Sequence, residues 1–179
     1  PGHIKLTIDH LLGKSTDKTA IDPSRIGIFG FSVGGYTALV SSGGVPNIQK
    51  LLTHCKNYPS EIACNLGTNN NVAINDLSKR STKDWNHDPR ISAAVVIAPG
   101  FGFSFDKSSL EKVTLPLQLW SGTNDLNVPT KTNADQIFKS LPKAAEYHLV
   151  EDAGHFAFLS PCNPLMEKHN PRVWDMVCV

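Results

Sequence analysis

No stretch of this 179-residue chain approaches the roughly 18 consecutive apolar residues that a membrane-crossing helix needs. An excess of one charge is also missing: 17 Lys and Arg against 16 Asp and Glu leave a net charge of +1. That balance gives no electrostatic footprint for nucleic acid or for an anionic membrane surface. With 40% hydrophobic and 18% charged residues the composition excludes a disordered chain, and the 13 Gly and 12 Pro fall in no repeating period, which excludes a collagen-like one. There is no internal repeat. No CxxC pair occurs and only His54 lies beside a cysteine, so the sequence indicates no metal site. No Met opens the chain, and no signal-peptide or lipidation pattern follows Pro1. Pro1 is therefore read as the start of a piece whose upstream part is absent.

What the chain does have is four cysteines, Cys55, Cys64, Cys162 and Cys178, which allow three pairings. The local one, Cys55–Cys64 with Cys162–Cys178, closes two short loops, each bridge contributing roughly 3 kcal/mol by chain entropy. Two disulfides point to an exported, secreted or periplasmic protein; four buried thiols in a cytosolic one are the alternative.

The apolar pattern alternates between helices and strands. Ile4, Ile8, Leu11 and Leu12 recur on one helical face of residues 3–12. Residues 25–31, short, apolar and preceded by Asp22-Pro23, read as a buried parallel strand, and residues 33–41, closed by Gly43-Gly44, as a helix. Residues 45–88 form an irregular excursion or cap, with a helix at 48–54 and a polar run at 69–71. Regularity returns in strands at 91–98, 115–120 and 145–150, a helix at 130–141, and a proline-punctuated tail after Phe156. This order specifies an α/β fold with a parallel sheet flanked by helices, in one domain over residues 1–179. Reactive groups in such sheets gather at the carboxyl ends of the strands.

Gly30-Phe31-Ser32-Val33-Gly34 is a G-x-S-x-G sequence between a strand and a helix. In that context the serine stands on a sharp turn. Glycines 30, 34 and 35 would relieve side-chain clashes there, and the Val33 N–H would serve as an oxyanion-hole donor at a helix N-terminus. A serine needs a base to take its proton. Of seven histidines, only His155 follows directly on a strand's carboxyl end; His3, His10, His54, His87, His148 and His169 do not. The acid that orients the base is Asp125, after the third strand, ahead of the alternatives Asp152, Glu151 and Asp106. The order Ser32, Asp125, His155 is the Ser, Asp/Glu, His order of α/β-hydrolases. Phe101, Phe103, Phe105, Leu126 and Phe156 are candidates for a substrate pocket, or for plain core packing.

These segments, together with Asp88-Pro89-Arg90-Ile91-Ser92-Ala93-Ala94 and residues 154–162, resemble the C-terminal part of an α/β-hydrolase. Within that superfamily the chain is similar to the secreted bacterial serine esterases grouped as predicted dienelactone hydrolases, relatives of platelet-activating-factor acetylhydrolase. The resemblance implies hydrolysis of carboxylic esters, carboxylesterase- or lipase-like, without a cofactor, and disulfides in keeping with the local pairing. True dienelactone hydrolases are expected to carry a cysteine nucleophile, whereas position 32 is serine. The family's sheet has strands before the elbow strand, and residues 1–24 leave room for a single helix. The missing strands would expose an apolar edge at 25–31 and take with them the loop that supplies a second oxyanion donor. A missing N-terminal segment or a partner chain is thus expected to cover that strand. A prolyl-oligopeptidase-type serine peptidase and a non-catalytic fragment that binds a partner through its bare edge are the rival readings.

Overall fold

The computed structural model describes residues 2–64, 85 and 87–178. Its centre is a parallel four-stranded sheet in the order β1 (Ile26–Phe31), β2 (Ile91–Ile97), β3 (Leu117–Gly122) and β4 (Glu146–Val150). Among the described residues the sheet is accompanied by the α-helices α1 (Gly2–Gly13), α2 (Val33–Ser41), α3 (Ile48–Asn57), α4 (Lys107–Leu110), α5 (Ala134–Ser140), α6 (Leu165–His169) and α7 (Pro171–Val177). Apolar side chains on one face of the sheet meet the helices packed against it. Ile28, Ala94, Val96, Leu117, Leu119 and Tyr147 pack against Ala38, Leu39 and Val40 of α2 and Ala134 and Ile137 of α5. Leu39, Leu119 and Phe105 are fully buried there, each contributing about 2 kcal/mol through burial. Trp120 on β3 stacks on His148 of β4 with ring centroids 3.9 Å apart.

Arg90, in the turn before β2, ties three elements together. Its guanidinium pairs with the buried Asp88 and with Asp9 of α1, while the Asp88 N–H donates to the carbonyl of Ser41 at the end of α2. The Arg90 hydrogen bonds hold the Asp88 carboxyl below the usual carboxylate range.

Several details depart from the expectations above. The run at 25–31 is not the buried strand its apolar pattern suggests but an edge strand with Phe29 68% exposed, in keeping with the bare edge expected there, since among the described residues only β2 pairs with it. The third strand starts two residues later than its pattern, and α5 begins at Ala134 because residues 130–133 form a turn. The proline-punctuated tail contains α6 and α7; Pro171 stands at the first position of α7, where its missing N–H is harmless, and Asn170 caps the helix. The polar run at 69–71 and most of the 45–88 excursion lie outside the described residues.

Asp106 caps α4. It accepts hydrogen bonds from the Ser108 hydroxyl at 2.6 Å and the Ser109 N–H at 2.9 Å, and lies 3.5 Å from Lys50 Nζ. Chiefly through the Ser108 bond, its carboxyl is held well below the usual carboxylate range. A depressed folded-state pKa contributes stability that is present above the unfolded aspartate value of about 3.9 and is lost as pH falls through the folded value. The Asp106→Asn chain is therefore expected to melt below wild type at neutral pH, with the gap closing below about pH 4. Thermal unfolding from pH 7 downward checks this, and a pH-independent gap would assign the effect to capping geometry alone.

Candidate active site

The site is assembled at the carboxyl ends of β1, β3 and β4. Ser32 links β1 to α2 with φ of 57°, a conformation a non-glycine residue holds only when its surroundings enforce it. They do so on both sides. Its N–H donates to the Ile97 carbonyl at 2.9 Å, and its own carbonyl accepts from Gly35 at 2.9 Å and Gly100 at 3.0 Å. A Cβ at Gly30 would fall 2.1 Å from the Gly34 carbonyl oxygen, and one at Gly35 3.1 Å from Pro99. Gly34 itself would offer a Cβ open space, so the second glycine of the motif matters for the backbone it presents to Gly30, not for relieving a clash of its own.

The loops after β3 and β4 are pressed together. A Cβ at Gly122 would lie 2.1 Å from the Ala153 carbonyl oxygen, and the Asn124 N–H donates to that same carbonyl at 3.1 Å. This contact sets Asp125 beside His155. Asp125 Oδ2 and His155 Nδ1 are 2.7 Å apart, and both side chains are buried, 0% and 5% exposed. The other carboxylate oxygen accepts from the N–H groups of Asn127 at 3.0 Å and Val128 at 2.7 Å. An ionised carboxylate only accepts, so the imidazole proton sits on Nδ1 and the Nε2 lone pair faces Ser32 Oγ at 3.0 Å. Phe31 and Phe156 flank the imidazole ring at 4.8 and 5.0 Å between centroids, a low-dielectric surround in which these hydrogen bonds are strengthened.

Ser32 and His155 open onto a cavity of about 290 Å³. Val33, at the first position of α2, also lines it, and its N–H lies outside the helix's own bonding pattern. Gly100 keeps the adjoining space free, since even a Cβ there would stand 3.8 Å from the Val33 nitrogen.

Phe101 and Phe156 line this cavity, whereas Phe103 does not. The Phe103 ring stacks on His54 at 3.7 Å, in a small cluster with Leu51 and Cys64. Phe105 is in the main core, and Leu126, 90% exposed, borders a neighbouring cleft. The alternative acids are engaged elsewhere: Asp106 at α4, Asp152 with Asn124 at 3.3 Å, Glu151 near Thr123 at 3.4 Å. Ile62, Ala63, Asn127, Val128 and Met176 also line the cavity, and the sequence did not mark them as site residues. The one signal available was the closeness of Ile62 and Ala63 to Cys64, and of Met176 to Cys178, because Cys55 bonds Cys64 and Cys162 bonds Cys178. Among the described residues, no group of three or more His, Cys, Asp or Glu side chains is placed to hold a metal ion.

No family model and no curated protein matches the chain. Solved structures do. A 2,6-dihydroxy-pseudo-oxynicotine hydrolase aligns with a TM-score of 0.50 and 16% identity over 86% of this chain and 39% of its own. The acetyl ester-xyloside bifunctional hydrolase of Caldicellulosiruptor lactoaceticus aligns with a TM-score of 0.48 and 15% identity over 98% and 63%. The carboxylesterase Cest-2923 of Lactobacillus plantarum WCFS1 gives 0.47 and 18% over 86% and 54%. The chain thus spans between 39% and 63% of the length of these proteins. At such identities the likeness concerns the fold alone, and it agrees with the parallel sheet flanked by helices. The described residues have an α/β-hydrolase-like fold.

Proposed function

We propose that this chain carries the nucleophile, acid and base of a serine hydrolase acting on carboxylic esters. The observation that carries the reading is the continuous run from Asp125 Oδ2 through both ring nitrogens of His155 to Ser32 Oγ, at 2.7 and 3.0 Å. Ser32 Oγ attacks the ester carbonyl carbon as its proton passes to His155 Nε2, and Asp125 stabilises the resulting imidazolium. The negative charge that develops on the carbonyl oxygen meets the Val33 N–H at the start of α2. Collapse of the tetrahedral intermediate breaks the bond to the alkoxy oxygen, which leaves as alcohol with the proton from His155. A water molecule, deprotonated by His155, then attacks the acyl-enzyme, and the acid departs as Ser32 regains its proton.

Two further features belong to this reading. The outer edge of β1, unpaired among the described residues and with Phe29 exposed beside it, supports a further strand pairing there, from an adjoining segment of the protein or from a partner chain. The two disulfides support an oxidising compartment, outside the cytosol. The narrower likeness to dienelactone-hydrolase-type and platelet-activating-factor-acetylhydrolase-type esterases rests on the sequence segments quoted above.

The test is labelling with a fluorophosphonate, followed by peptide mass spectrometry and a panel of p-nitrophenyl esters and anilides. The expected outcome is one adduct, on Ser32, with turnover of esters well ahead of anilides. Ester turnover with no adduct on Ser32 would remove it as the nucleophile, and anilide turnover matching that of esters would favour the peptidase reading.

A further inference from the structure

The cavity beside Ser32 has an unusual construction. Two of its apolar walls come from segments closed into rings by disulfides. Ile62 and Ala63 lie within the ring formed by Cys55 and Cys64, nine residues apart in sequence. Met176 lies within the ring formed by Cys162 and Cys178, sixteen apart. Both large side chains are kept in contact with solvent, Ile62 46% and Met176 60% exposed, although each faces apolar neighbours across the cavity. Exposed apolar side chains grouped around a concave site mark a surface that binds an apolar group.

Each wall is also held by more than its disulfide. The first is braced by the 2.9 Å bond between His54 and Glu61 and by the stacking of His54 on Phe103, under which Cys64 and Leu51 are buried. The second is carried on α7, and Cys178 Sγ lies 3.9 Å from the sulfur of Met166 on α6. Met176 also borders the adjoining cleft lined by Asn124, Leu126 and Asn127, so it stands between an apolar and a more polar space on two sides of His155.

We propose that Ile62 and Met176, fixed by their two disulfide rings, are the residues that set acyl-group size, restricting the cavity to esters of short apolar acids. This rests on the ester-hydrolase reading. At about 290 Å³ the cavity is at the small end of the roughly 300–1,000 Å³ typical of small-molecule sites. Ser32 and the Val33 N–H open into it, so the acyl carbon and its chain belong there, while the alcohol, which must collect a proton from His155, leaves toward the cleft beyond Met176. Closing the loops covalently removes the chain freedom that would let either wall retreat before a longer acyl chain. Phe103 is in this scheme a positioning residue, acting through His54 on the wall at 62–63.

The experiment compares kcat/KM for p-nitrophenyl butyrate and octanoate in the wild-type chain, Ile62→Ala, Met176→Ala and the paired Cys162→Ser/Cys178→Ser variant. Both esters are read on one preparation, so any loss of folded protein cancels in the ratio. Wild type is expected to favour butyrate, and each variant to raise the octanoate-to-butyrate ratio about tenfold, the discrimination a few methylene groups command in an apolar site. Ala63→Leu, which fills the cavity, is expected to move preference the other way, from butyrate toward acetate. Ratios within about twofold of wild type in all four variants, or a wild type that prefers octanoate, would overturn the proposal. Fluorophosphonate labelling of the wild-type chain separates the two levels of inference: an adduct on Ser32 with unmoved ratios sinks the wall assignment alone, whereas no adduct and no turnover sinks the hydrolase reading and this one with it.

Discussion

Replacing Asp125 with Asn is expected to lower ester hydrolysis about 10⁴-fold while the fold persists. The asymmetry follows from how the carboxylate divides its bonds. One oxygen accepts from the Asn127 and Val128 N–H groups, and an asparagine carbonyl can keep both. The other accepts from His155 Nδ1 at 2.7 Å, and in asparagine that position becomes an NH₂ group, a donor. Two donors cannot face each other, so the imidazole proton must move to Nε2. There it points at Ser32 Oγ and removes the lone pair that would take the hydroxyl proton. Loss of a charge-assisted hydrogen bond lowers stability by no more than about 3 kcal/mol, against the far larger loss of turnover. Kinetics with p-nitrophenyl butyrate alongside urea unfolding checks both halves. A variant that keeps a tenth or more of wild-type activity would return Asp152 and Glu151 to consideration as the acid.

Gly30→Ala is expected to abolish both turnover and fluorophosphonate labelling, and to destabilise the chain by about 3 kcal/mol or more. The new methyl group would sit 2.1 Å from the Gly34 carbonyl oxygen and 2.4 Å from its carbon. Both are backbone atoms of the first turn of α2, with no side-chain rotation available to yield. Relief requires α2 to move off the end of β1, which carries Ser32 away from His155 and relaxes the backbone held at φ of 57°. Gly34→Ala makes the control. Its Cβ meets nothing within 4 Å, and alanine is favoured over glycine in a helix by about 1 kcal/mol, so that chain should be as stable as wild type or slightly more so. Denaturant melts of the two variants side by side decide the point; a Gly30→Ala chain as stable and reactive as wild type would mean that the turn tolerates a side chain at its first glycine.

The three polar residues were legible because each lies within five residues of the carboxyl end of an apolar run that reads as a strand. A parallel sheet then brings all three to one end whatever the helices do. Ser32, Asp125 and His155 needed no knowledge of packing, only of strand ends and chain order. The apolar lining was different. Ile62 and Met176 reach the cavity through loops whose closure depends on which cysteines pair, and four cysteines admit three pairings. Phe103 misled for a related reason: a phenylalanine two residues from Phe101 points across a turn to His54, a direction that spacing alone does not give. The run at 25–31 has the same apolar pattern whether one or two strands flank it; its place at the sheet edge was legible only because residues 1–24 leave room for a single helix before it, and the sheet order agrees.

The separation of the site's members along the chain also has a consequence for when chemistry begins. Ser32 is 123 residues from the His155 nitrogen it faces, and that histidine is 30 residues from Asp125. Of the three residues a ribosome makes Ser32 first and His155 last. Non-local parallel pairing is also the slow part of folding, since long loops must close before any contact rewards them. Throughout synthesis, and in any intermediate lacking β4, Ser32 is an ordinary alcohol beside water. On the proposed mechanism, the order of the genetic message would therefore serve as a timer, withholding an activated oxygen until β4 has docked.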